Sequence, residues 1–200
     1  MAITGLVLLG FLIIHALGNS TIFGGRDLFL AYALHLHAMG PLPVIAQIFL
    51  AILFAMHIIT GFTLYLQNRK ARPIPYFTPG QCRSDLSSRT MPQSGLLILL
   101  FLGLHMFTLH GQKTDPDMAE ILAVTLSTPL YIFLYLCGIT ALTLHLFHGL
   151  CSLFQSLGLT IKRRGSLPIM ILIRMAGLWP MAVFFTVIIL IMASSGNILR

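Results

Sequence analysis

The sequence predicts an all-α integral membrane protein, five transmembrane helices in a single domain covering residues 1–200. Three observations carry that class. Hydrophobic residues make up 57% of the chain and charged residues 8%, with a mean hydropathy of +0.93, a composition that a soluble domain does not have. No Asp, Glu, Lys or Arg occurs from Leu28 to Asn68 or from Ile121 to Ile161, which is longer than a soluble core runs without a charge. No stretch alternates polar and apolar residues as a barrel strand must, and a bilayer admits only helices or closed barrels.

A helix needs about 20 apolar residues to cross a hydrocarbon core of roughly 30 Å, and five segments meet or approach that length: 2–19, 43–67, 93–111, 127–157 and 168–194. The first, MAITGLVLLGFLIIHALGN, is expected to be a retained span, because it has neither a basic n-region nor a small-x-small cleavage site before Asn19. A Gly-Arg-Asp loop (Gly24 to Asp27), a Pro-rich basic loop (Asn68 to Pro92), an acidic loop (Asp115, Asp117, Glu120) and a short basic loop (Lys162 to Arg164) separate the spans. No internal repeat or low-complexity tract is visible.

Twelve Lys and Arg against five Asp and Glu leave a net charge of +7, read here as a topology signal and not as a nucleic-acid footprint. Arg69, Lys70, Arg72, Arg83 and Arg89 crowd one loop, and Lys162, Arg163 and Arg164 the next on the same side. Both loops are expected to face the cytoplasm, which puts the N-terminus inside and the C-terminus outside. The compartment implied is the inner membrane of a prokaryote. The three cysteines, Cys82, Cys137 and Cys151, form no CxxC pair, so thiolate-held clusters are not expected.

Histidine carries the chemistry. Ionisable groups inside a bilayer are costly and mark function, and four of the five spans hold a histidine well inside: His15, His57, His105 and His145, with His148 beyond the last. At 1.5 Å per residue from the outer helix ends, His15 and His105 lie roughly 6 to 10 Å deep. His57 is fourteen residues past Pro43 and His145 sixteen past Pro129, which gives roughly 21 to 24 Å. Two shallow and two deep histidines are the arrangement for two bis-histidine haem b groups stacked across the bundle, one per leaflet. Gly61 follows His57 at i+4 and Gly149 follows His145, on the face where a flat macrocycle needs clearance. That spacing favours His145 over His148 as ligand and leaves His148 to packing or a haem propionate; ordinary close helix packing is the alternative role for the glycines.

On the stretches MAITGLVLLGFLIIHALGN, FAMHIITGFTLYLQNRKARPIPY, SSRTMPQSGLLILLFLGLHMF and LTLHLFHGLCSLFQSLG, the chain resembles the five-helix, dihaem cytochrome b subunit of succinate:quinone oxidoreductases (succinate dehydrogenase and fumarate reductase). The resemblance covers most of residues 1–160. It implies that His57 and His145 hold the inner, proximal haem, nearer an iron-sulfur subunit, and that His15 and His105 hold the outer, distal one. The family's H-x3-G-L pattern falls on His145, Gly149 and Leu150. Some quinol-oxidising relatives place carboxylates near the distal haem and in the fourth span, where this chain has His37 and Thr143.

Further candidates follow. Ser88, Arg89, Lys162, Arg163 and Arg174 are placed to meet haem propionates at the inner side, with a snorkelling anchor as the other role for Arg174. His35 and His37, in the outer connection, are candidates for proton delivery to a quinone, and His110 is a weaker one. No dinucleotide fingerprint or soluble mass for flavin or dicarboxylate is present, so the expected role is that of a non-flavin subunit with no catalytic residues of its own. Its partners would be a flavoprotein, an iron-sulfur protein docked on the basic loops, membrane lipid, and menaquinone or another quinone; nucleic acid is not among them. Two rival readings stay open at this point: the dihaem subunit of a nitrate reductase, formate dehydrogenase or hydrogenase, and a histidine-lined transporter.

Overall fold

The computed structural model describes residues 1–71, 90–110, 118–156 and 167–193. Those residues are 94% helical and contain no strand. The helices are α1 (Ala2–Ser20), α2 (Arg26–Ala38), α3 (Leu42–Ala71), α4 (Met91–His110), α5 (Met118–Thr125), α6 (Pro129–Ser156) and α7 (Leu167–Ala193), with a 3-10 turn at Thr21–Gly24. Among the described residues, four helices are long and apolar enough to cross a membrane, over Ala2–Gly24, Leu42–Ala71, Met91–Thr108 and Pro129–Phe154. Helix α7 has 27 residues, and its apolar stretch with described side chains is Leu178–Ile191.

Proline placement explains several helix starts. Pro43, Pro92, Pro129 and Pro168 all sit in the first turn of their helices, where the missing N–H has no intrahelical partner to lose. Pro180 departs from that pattern, since it lies inside α7. Two glycines set the chain's corners: Gly25 (φ 92°) ends the 3-10 turn and Gly40 (φ 65°) joins α2 to α3, and both need the left-handed region that side chains resist.

Two connections expected as loops are partly helical. The segment holding Asp27, His35 and His37 is α2, and Glu120 lies in the first turn of α5. Asp27 and Glu120 each sit at a helix N-terminus, where a carboxylate is favoured by the helix dipole. Both acids therefore start short helices in stretches whose composition reads as loop.

The apolar core lies at the end of the bundle where α1 finishes and α6 begins. Ile22, Phe29, Ala123, Leu126, Ile188 and Ile191 are buried together there, so α2 and α5 cap that end. Helix α3 is the opposite case: it has no buried residue, and Ile45, Ile48, Phe49, Ile52, Ile59 and Phe62 are all exposed. Such a surface is intolerable in water but is the solvated face of a helix in lipid. Threonines along the spans close their hydroxyls on their own helices, as Thr60 does on Met56 O (2.7 Å) and Thr143 on Ile139 O (2.8 Å).

Candidate metal centre

Four helices project four histidines into the bundle, and the structure gathers them as two pairs. His15 of α1 faces His105 of α4 with ring centroids 6.0 Å apart and planes at 87°. His57 of α3 faces His145 of α6 at 6.3 Å and 65°. The grouping matches the one expected from depth. His148 is half-buried one turn further along α6, and it is His145, not His148, whose ring meets His57.

The vertical order follows from contacts on α1 and α4. Thr4 Oγ1 lies 3.0 Å from His57 Nδ1, and Ser94 Oγ lies 3.3 Å from His145 Nδ1. Thr4 is eleven residues before His15, and Ser94 is eleven before His105, so the pairs sit about 16 Å apart along the bundle. Each shallow histidine is flanked by aromatics. His15 stacks on Phe11 at 5.5 Å and 18° and meets Phe184 of α7 at 5.5 Å. His105 meets Phe101 at 5.8 Å and Tyr135 of α6 at 5.9 Å. The Tyr135 hydroxyl is 3.4 Å from His105 Nδ1 and 2.9 Å from Thr108 Oγ1.

Glycine also lies close to the deep rings, at Gly5 and Gly95. A Cβ on Gly5 would come 3.3 Å from His57 Cε1, and one on Gly95 would come 3.6 Å from His145 Cε1. The expected glycines face methionines: a Cβ on Gly61 would lie 3.1 Å from the Met1 ε-methyl, and one on Gly149 would lie 3.9 Å from the Met91 ε-methyl.

These parallels expose an internal repeat, correcting the expectation of none. Met1, Thr4, Gly5, Phe11 and His15 on α1 correspond to Met91, Ser94, Gly95, Phe101 and His105 on α4, at a constant offset of 90. His57, Gly61 and Gln67 on α3 correspond to His145, Gly149 and Gln155 on α6, at an offset of 88. Leucine matches mean little in such a chain. The equivalence of contacts carries the repeat: hydroxyl to deep histidine, glycine to deep histidine, methionine to glycine. Helix α7 lies outside it and packs on α1 and α6.

Several candidates take no part in the pairs. His35 and His37 are exposed on α2, and the His37 ring is bound to Ala33 O at 2.8 Å. Ser88, Arg89, Lys162, Arg163 and Cys82 lie outside the described residues, as do the side chains of His110 and Arg174. Sequence reading missed Thr4, Ser94, Tyr135, Gly5 and Gly95; aligning the two Met-x2-(Thr/Ser)-Gly-x9-His stretches would have found four of these five.

The donor set fits a haem. Two imidazoles bound to one metal at about 2 Å each, with about 1.2 Å from nitrogen to ring centre, have centroids roughly 6.4 Å apart, close to both observed spacings. Among the described residues no group of three or more His, Cys, Asp or Glu gathers. A zinc-type centre takes most or all of its four ligands from the protein, whereas haem iron, already held by its macrocycle, asks for axial ligands alone. Scans against family models, characterised proteins and solved structures find no match to this chain.

Proposed function

We propose that the chain is a dihaem cytochrome b membrane subunit that carries electrons between an iron-sulfur partner and membrane quinone. The observation that carries this reading is the pair of histidine pairs, 6.0 and 6.3 Å across, set at two levels of one bundle. His57 and His145 would hold one haem, and His15 and His105 the other. Bound haem supplies one-electron chemistry. The chain's own residues fix the imidazoles from four helices, exclude water with Phe11, Phe101 and Phe184, and space the two sites along the membrane normal. Helix α7 would be the fifth span, and the positive-inside rule would put the N-terminus and the His57–His145 pair on the cytoplasmic side.

The family assignment, succinate dehydrogenase or fumarate reductase with separate flavoprotein and iron-sulfur subunits, is supported by the four sequence stretches given above. A single chain spanning two redox levels makes sense when electrons cross the membrane, so the quinone site favoured is the outer one beside His15 and His105, with α2 and its His35 and His37 nearest the surface.

The test is spectroscopic. Membranes containing the chain should show a reduced-minus-oxidised b-type α band, and pyridine haemochrome assays should give two haems per chain. His57→Ala or His145→Ala should each leave the same single haem; His15→Ala or His105→Ala should each leave the other. A colourless protein would overturn the reading in favour of a transporter. The pairing fails if His57 and His105 substitutions remove one and the same haem while His145→Ala removes none. Co-purifying subunits separate a succinate complex from a nitrate reductase, formate dehydrogenase or hydrogenase.

A further inference from the structure

A hydroxyl has one proton to give, and in this bundle the hydroxyls beside the histidines have already given it. Thr4 Oγ1 donates to Met1 O at 2.8 Å, and Ser94 Oγ donates to Met91 O at 3.0 Å. Two oxygens so close need a proton between them, and a carbonyl has none. The remaining lone pairs of Thr4 and Ser94 can therefore only accept from the rings they touch, His57 Nδ1 at 3.0 Å and His145 Nδ1 at 3.3 Å. With Nδ1 carrying the hydrogen, Nε2 keeps its lone pair, the form in which imidazole binds a metal.

The shallow level reaches the same state by a longer chain. Thr108 Oγ1 donates to His105 O at 3.1 Å, which lets the phenol donate in the 2.9 Å contact between Tyr135 and Thr108. The phenol oxygen is then left to accept from His105 Nδ1 at 3.4 Å. His15 is placed differently, between the rings of Phe11 and Phe184.

We propose that Thr4 and Ser94 are matched positioning residues, each holding its own half's deep histidine with Nδ1 protonated and Nε2 turned to its partner, and that Tyr135 does this for His105. The inference rests on the dihaem reading and adds what sets each ligand's electron donation. A bonded Nδ1–H makes the imidazole a stronger donor and favours ferric iron, so losing the acceptor raises the midpoint potential of that site alone. Outer partners of metal-bound histidines are worth about 10–100-fold in affinity; tenfold weaker binding of the ferric relative to the ferrous state is about 60 mV.

The experiment is a redox titration with electron paramagnetic resonance on membranes holding the full chain, comparing Thr4→Val, Ser94→Ala, Tyr135→Phe and the conservative Thr4→Ser. Thr4→Val and Ser94→Ala should each raise the potential and shift the g values of the haem that His57→Ala removes, or remove that haem alone. Thr4→Ser should match the unaltered chain, and Tyr135→Phe should move the other haem. Unchanged potentials and g values in Thr4→Val and Ser94→Ala, in a protein that binds two haems, would overturn this inference and leave the dihaem reading standing. Equal disturbance of both haems would also overturn it, since it would mark these hydroxyls as general folding residues. Absence of haem from the unaltered chain would take both readings together.

Discussion

Gly138 of α6 lies directly against the Phe101 ring of α4, and replacing it with Ala should disturb one histidine pair and not the other. A Cβ there would fall 2.8 Å from Phe101 Cδ1 and closer still to Cγ and Cδ2. Ordinary contact begins near 3.4 Å, so the ring must retreat by on the order of 1 Å. Phe101 has little room to do so, because its ring sits edge-on to Tyr135 at 5.2 Å and lies 5.8 Å from His105. Overpacking of this kind costs about 1–3 kcal/mol, or roughly 5–150-fold in the folded equilibrium. Helix propensity alone predicts the opposite sign, since Gly→Ala inside a helix gains about 0.5–1 kcal/mol. Gly10 and Gly103 provide the control, because a Cβ at either meets nothing within 4 Å. Thermal unfolding in detergent should rank Gly138→Ala below the unaltered chain and Gly103→Ala at or above it, while electron paramagnetic resonance shows a shift only in the haem that His105→Ala removes. Equal stability of the Gly138 and Gly103 variants, with both haem signals unaltered, would refute the packing argument.

The two glycines against the deep rings should respond unequally. Gly5→Ala pushes a methyl to 3.3 Å from His57, inside comfortable contact, whereas Gly95→Ala stops at 3.6 Å from His145, so the α band of the inner haem should broaden or weaken in the first variant and stay near normal in the second. Sidedness can be read from Cys82, which lies in the basic connection between Asn68 and Pro92: a membrane-impermeant thiol reagent should label it in inside-out vesicles and spare it in intact cells, and the reverse result would invert the proposed topology.

The histidine pairs were legible because prolines mark where α3 and α6 begin. Counting from Pro43 and Pro129 places His57 and His145 at one depth, and a rigid 1.5 Å rise leaves little freedom in the result. The hydroxyls that hold those rings were not legible. Thr4 and Ser94 look like any threonine or serine closing on its own helix, and half of their bonding does that; the other half reaches across to a helix more than fifty positions away. Spacing points to Gly61 and Gly149 on the histidines' own helices, and gives no sign that a Cβ at Gly5 or Gly95 on the neighbouring helices would meet the same rings. Hydropathy hid the repeat too. Leucine-rich spans all look alike, and the connection between α1 and α3 has a helix of 13 residues where that between α4 and α6 has one of 8.

Each histidine pair draws one ring from either half, and this sharing fixes an order of events as the chain leaves the ribosome. His15 waits 90 positions for His105, and His57 waits 88 for His145, intervals of roughly 4–18 s at about 5–20 residues per second. Until α4 enters the bilayer, both early histidines stand in lipid without their counterparts. The pair nearer the capped end closes first, and the pair held by Thr4 and Ser94 closes only when α6 has followed. Neither half alone brings two of these imidazoles together at either level, so under the dihaem reading the outer site would wait for α4 and the inner site for α6.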